Sequence, residues 1–127
     1  MTGEARSIVR VLLARHAQRC RPLHLQADSI TRDDINHCTI PYLELCENAG
    51  VPYLLRSVGR FLEEIAEWCQ ANGWPPLNSL AVNRQNEQPG DGYDGAADGY
   101  CSLLRWPEEV RSCIAFEGYP PSSLPLP

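Results

Sequence analysis

The sequence predicts a mainly α domain with a small β-hairpin, and three observations lead there. Leu55, Val58, Leu62, Ile65 and Cys69 recur three and four residues apart, the spacing of one buried helix face. Gly50-Val51-Pro52, ahead of that stripe, marks a tight turn after a short helical segment. Behind it, Pro75-Pro76 blocks helix continuation. Leu77 to Asn83 then alternates as a strand, Gln88-Pro89-Gly90-Asp91-Gly92 turns the chain, and Tyr93 begins a return strand. Helix, turn, helix and hairpin in that order is the layout of a winged-helix module, here with an extra N-terminal helix and a short C-terminal helix. Residues 1–118 make a single domain of this kind, and residues 119–127 a Pro-rich extended tail.

In chain order, residues 5–20 carry Ala5, Ile8, Val9, Leu12 and His16 at helical spacing, and Pro22 ends that helix. Arg6 and Arg10 share another of its faces, which reads as solvated or as a surface for a polyanion. Thr31-Arg32-Asp33-Asp34 has the form of a helix N-terminus. Thr39 is placed to cap the next helix, with Pro41 in its first turn. On the long helix, Phe61 and Trp68 widen the buried stripe. Arg56 and Arg60 lie off it in the first half, and Glu63, Glu64 and Glu67 in the second. Trp106-Pro107-Glu108-Glu109 opens the last helix, with proline and acids in its first turn.

Composition narrows the function. The chain has 127 residues, enough for one modest core, of which 43% are hydrophobic and 21% charged. No apolar run approaches the ~20 residues that span a bilayer, and the N-terminal residues lead to the expectation of no secretion signal. The expectation is a cytoplasmic protein without a membrane partner. A net charge of -5 argues against a generic nucleic-acid binder. The charge is unevenly spread: residues 1–32 hold six arginines against two carboxylates, and the remainder five against fourteen. Every basic residue is arginine, whose planar fork suits phosphate and carboxylate alike.

The six cysteines are scattered, without a Cys-x-x-Cys pair, and read as buried thiols rather than as a disulfide frame. Cys20 with His24, and the adjacent His37 and Cys38, do not make the two compact ligand pairs of a zinc site. The repeated Asp91-Gly92-Tyr93 and Asp98-Gly99-Tyr100 lack the alternating oxygen ligands of a calcium loop and read as a flexible loop. No metal and no cofactor are expected.

Thr39-Ile40-Pro41-Tyr42-Leu43-Glu44-Leu45, Ala49-Gly50-Val51-Pro52, Arg56-Ser57-Val58-Gly59-Arg60-Phe61-Leu62 and Gly90-Asp91-Gly92-Tyr93-Asp94-Gly95 together resemble the winged-helix domain of O6-alkylguanine-DNA alkyltransferases and alkyltransferase-like proteins. The resemblance covers residues 39–95. It implies DNA binding, with Tyr42 at the phosphate of the target nucleotide and Arg56 entering the duplex in place of a flipped base, as a planar guanidinium can. Ser57, Arg60, Asn78 and Arg84 complete the expected DNA-binding set. Read without the resemblance, Tyr42 is an aromatic anchor of its helix and Arg56 a surface arginine.

The family's acceptor motif, Pro-Cys-His-Arg-Val, stands opposite Leu77-Asn78-Ser79-Leu80-Ala81-Val82, which has no Cys, His or Arg. An alkyl acceptor is a thiolate with a neighbouring base. The expectation is therefore no enzyme and no catalytic residue, but a non-enzymatic DNA-binding protein of the damage-sensor or regulator type, with double-stranded DNA as partner. The alternative is an acidic protein-interaction module or inhibitor, of the kind phages and mobile elements encode, that keeps the fold without DNA binding and has a protein partner.

Overall fold

The computed structural model describes all residues, Met1–Pro127. It is mostly helical: α1 (Gly3–Arg15), α2 (Arg32–Cys38), α3 (Tyr42–Asn48), α4 (Val58–Asn72), a short turn α5 (Ala96–Gly99) and α6 (Trp106–Ala115). The strands β1 (Ile40–Pro41) and β2 (Ala81–Val82) make a two-stranded sheet. Several boundaries are set by caps readable in the sequence. The Thr2 hydroxyl accepts from the Ala5 amide at the start of α1, and Thr31 with Asp34 forms a reciprocal capping box at the start of α2. Gly73 closes α4 in the left-handed region, where glycine carries no side-chain penalty.

One apolar core joins α1, α3, α4, α6 and the turn Leu77–Leu80. From α4 it takes Val58, Phe61, Leu62, Ile65 and Cys69, as the spacing predicts. Leu55 does not belong: residues Pro52–Ser57 form a 3-10 helix ahead of α4, and its tighter period leaves Leu55 38% exposed. Nor does Thr39 cap α3. It ends α2, and β1 intervenes, so α3 starts directly after Pro41. All six cysteines are free and buried.

The expected hairpin over 77–93 is absent. Leu77–Leu80 is a 3-10 turn, and β2 pairs in parallel with β1, Ile40 beside Ala81 and Pro41 beside Val82. Leu77 through Val82 are buried in succession, so the segment runs through the core and does not form an alternating surface wing. The loop behind it closes on itself through Asn83 N–H to Gln88 O and Glu87 N–H to Asn83 O. Tyr93 then sits in a 3-10 turn, Asp91–Tyr93, instead of a return strand.

The basic face of α1 is not free either. Arg6 donates to Met1 O, Arg10 to Ser122 O and Leu124 O, Arg15 to Cys38 O and Thr39 O, Arg19 to His37 O, and Arg21 to Glu117 O and Tyr119 O. These arginines hold loops and the Pro-rich tail to the domain. Tyr119 is buried among aromatic rings, with its hydroxyl on Pro75 O.

A π-helical turn, His16–Cys20, continues α1 and buries the His16 ring. Its Nε2 lies 2.7 Å from Cys113 O, and Tyr119 packs edge-on against it. Burial pushes the His16 pKa below its usual 6.5, and Arg21 adds to the effect. The unfolded chain therefore takes up this proton first. His16 favours the folded state fully above pH 6.5, and the contribution is lost as the pH falls below that value. Thermal melts are expected to show a falling Tm below this point, with a shallower fall in His16→Gln. An identical acid-side slope in both proteins would remove His16 as the cause.

Candidate functional site

Three segments meet around one cavity. α3 supplies Tyr42; the end of the 3-10 helix and the first turns of α4 supply Leu55, Val58, Gly59, Leu62 and Glu63. The loop that follows β2 supplies Gly90, Gly92 and Tyr93. Ala96 and Asn78 complete a cavity of about 170 Å³. For scale, an engineered apolar cavity of ~150 Å³ holds a benzene ring.

Its polar atoms are few and individually placed. The Tyr42 hydroxyl accepts from Gly90 N–H at 2.8 Å, which ties α3 to the loop and leaves the phenolic O–H to donate elsewhere. Burial raises its pKa, so it is a neutral donor at physiological pH. Glu63 accepts from Ala97 N–H at 2.9 Å and holds a strained corner, in which Ala97 and Asp98 both adopt positive φ (53° and 55°) without being glycine. Tyr93 donates to Glu109 at 2.6 Å, and burial raises its pKa well above the usual value.

Asn78 is the exception. It is 2% exposed; its Nδ2 makes only a long contact of 3.6 Å to Cys101 Sγ, and its Oδ1 has no partner within the protein. A buried acceptor without a donor costs ~1–3 kcal/mol, and orphans of this kind in folded proteins call for an explanation. Here the residue lines the cavity wall. The Cys101 thiol beside it is pushed up to about 11 by burial, so it is not a thiolate nucleophile at neutral pH. Cys69 and Cys113 are pushed up to about 12 for the same reason.

The predicted DNA-binding residues separate into two groups. Arg56, at the exposed end of the 3-10 helix, Arg60, on the first turn of α4, and Arg84, in the loop after β2, all face solvent. Arg60 lies over the Phe61 ring, 5.3 Å from its centroid. Of the eleven arginines, these three alone have neither a carboxylate nor a carbonyl partner in the protein. Arg32 pairs with Glu87, Arg105 with Glu109, Arg111 meets Ile30 O, and the five on α1 and its extension are engaged as described.

The other residues turn inward. Tyr42 is half-buried at the cavity. Ser57 is half-buried and donates to Leu54 O, which commits its hydroxyl to its own turn. Asn78 is in the cavity wall and not on the exposed surface. Glu63, Tyr93 and Ala96 were not expected at a site. Their only sequence signal is negative: Glu63 lies off the apolar stripe, and Tyr93 and Ala96 fall in the Gly/Asp-rich stretch. No group of three His, Cys, Asp or Glu side chains converges as metal ligands, and no helix is long and apolar enough to cross a membrane.

No protein-family model matches this chain, and neither does a curated protein or a solved structure.

Proposed function

We propose that the chain is a non-enzymatic double-stranded DNA-binding protein of the damage-sensor type, winged-helix-like, with the loop after β2 standing where a wing would. The observation that carries this reading is the set of three partnerless guanidiniums, Arg56, Arg60 and Arg84, in a protein that engages its other eight arginines internally. Cations left without counter-charge on an otherwise acidic surface suit an anionic partner. The cavity supports the same reading. Leu55 is at its mouth, and the next residue is Arg56, so a base displaced by that guanidinium has an adjacent pocket of ring size. Asn78 Oδ1 is then the acceptor for a ring or exocyclic N–H. No covalent step is part of the proposal, because the cavity contains no activated nucleophile.

Titration of a labelled duplex across salt tests it. Phosphate contacts by Arg60 and Arg84, with Arg56 inside the duplex, give a log–log slope near −1.8, at about −0.9 per contact. Arg56→Ala is expected to weaken binding by ~1–3 kcal/mol with its melting temperature unchanged. Duplex affinity equal in wild type and in the Arg56→Ala/Arg60→Ala/Arg84→Ala variant would sink the proposal.

A second reading, a protein-interaction module, rests on Tyr53 and Leu104, which are 77% and 92% exposed. Two isolated apolar side chains are ordinary on a soluble surface, so it ranks second.

A further inference from the structure

The largest cleft of the molecule, about 550 Å³, runs beside α1 on a side the cavity does not share. Its other walls are Ile40 of β1, the end of α3 at Asn48, and Ser122 of the tail. Arg10 and Arg15 line it, both half-buried. Arg10 spends Nη1 on Ser122 O at 2.6 Å and Leu124 O at 3.1 Å; Arg15 spends Nε on Cys38 O at 3.2 Å and Nη2 on Thr39 O at 2.5 Å. All four acceptors are neutral carbonyls. They fix the side chains without cancelling their charge. Arg10 keeps Nε and Nη2 free, and Arg15 keeps Nη1.

No acidic side chain lines the cleft, although the chain carries a net charge of -5. Burial and the neighbouring Arg19 lower the pKa of Arg15; Glu44, which lines the next cleft, pulls the other way and forms no ion pair with it. Two guanidiniums held in place and in no ion pair, with the amides of Gln18 and Asn48 beside them, match a doubly charged oxyanion better than a singly charged one. Val11, Ala14 and Ala49, each partly exposed, add an apolar wall.

We propose that this cleft binds an organic phosphate monoester, its phosphate taken by Arg10 and Arg15 and its apolar body by Val11, Ala14 and Ala49. Such a group belongs either to a small molecule or to the 5′ terminus of a nucleic acid. The inference is independent of the DNA reading, since none of the three free arginines lines the cleft.

Calorimetry with phenyl phosphate tests it, with benzyl alcohol as the uncharged control. Saturable binding of phenyl phosphate alone is expected. Gln18→Glu, at an exposed position that risks little in folding, puts a carboxylate beside the anion and is expected to weaken binding at least about tenfold. Arg56→Ala leaves it unchanged. A 5′-phosphorylated oligonucleotide that outcompetes its unphosphorylated twin, with the advantage lost in Gln18→Glu, supports the site and makes the nucleic-acid terminus its source. No such advantage, with phenyl phosphate still bound, supports it with a small molecule as source. Absence of phenyl phosphate binding at millimolar concentration, equal binding to Gln18→Glu, or equal binding of benzyl alcohol overturns the proposal.

Discussion

Trp106→Ala is expected to lower the free energy of unfolding by ~3–5 kcal/mol, the range for truncating a large buried aromatic side chain. Trp106 opens α6, is 2% exposed, and donates from its indole N–H to Ser79 O at 2.9 Å. That one side chain therefore fills core volume and pins the turn Leu77–Leu80, on which Asn78 is mounted. Trp106→Phe separates the two contributions. It keeps most of the packing and orphans the Ser79 carbonyl, for an expected loss of ~1–3 kcal/mol. Urea titration of the three proteins measures both. A loss below ~1 kcal/mol for Trp106→Ala would place Trp106 outside the cooperative core.

The helices were legible because their signals are local. The stripe from Val58 to Cys69 and the Thr31/Asp34 box each lie within a few residues, and both act in the structure as their spacing indicates. What was not legible depends on distant partners. The parallel pairing of Ile40–Pro41 with Ala81–Val82 joins segments about forty residues apart, and two residues per strand are too few to carry a period. Leu55 misled for a narrower reason: Pro52–Ser57 changes from the α to the 3-10 period one turn before the helix, and spacing alone cannot register the change.

The partners of the charged side chains are the least legible feature of the sequence. Arg10 and Arg56 look alike in sequence, yet one meets two carbonyls of the tail and the other meets nothing. A carbonyl partner leaves no trace in composition, so the N-terminal excess of arginine read as a possible binding face when most of it serves as clamps. The cavity was legible only in part. Tyr42 and Asn78 came with the resemblance, whereas Glu63 and Ala96 join it through the bend at Ala97–Asp98, a backbone conformation that neither residue type signals.

Asn78→Leu is expected to separate stability from function. The carboxamide is buried with Oδ1 unpartnered, and its one contact, Nδ2 to Cys101 Sγ at 3.6 Å, is weak. Leucine removes the orphaned acceptor, and its extra volume enters a cavity whose walls are largely apolar. The folded state should gain ~1–3 kcal/mol, about the cost of an unsatisfied buried polar group. Denaturant titration reads the gain as a higher midpoint with an unchanged slope. Under the proposed function, the same substitution blocks the pocket meant for an extruded base while sparing Arg56, Arg60 and Arg84. Affinity for an undamaged duplex, set by phosphate contacts, should then stay within about twofold of wild type. The preference for a duplex with a destabilised base pair should disappear, and with it any fluorescence rise from a 2-aminopurine at that pair. A loss of stability in Asn78→Leu would mean that the carboxamide is satisfied in solution, by water held in the cavity, and that the orphaned oxygen does not mark a binding site. A gain in stability with the damage preference intact would place recognition outside the cavity. A buried acceptor without a protein partner stands beside a ring-sized cavity, and the two measurements together decide whether it serves binding.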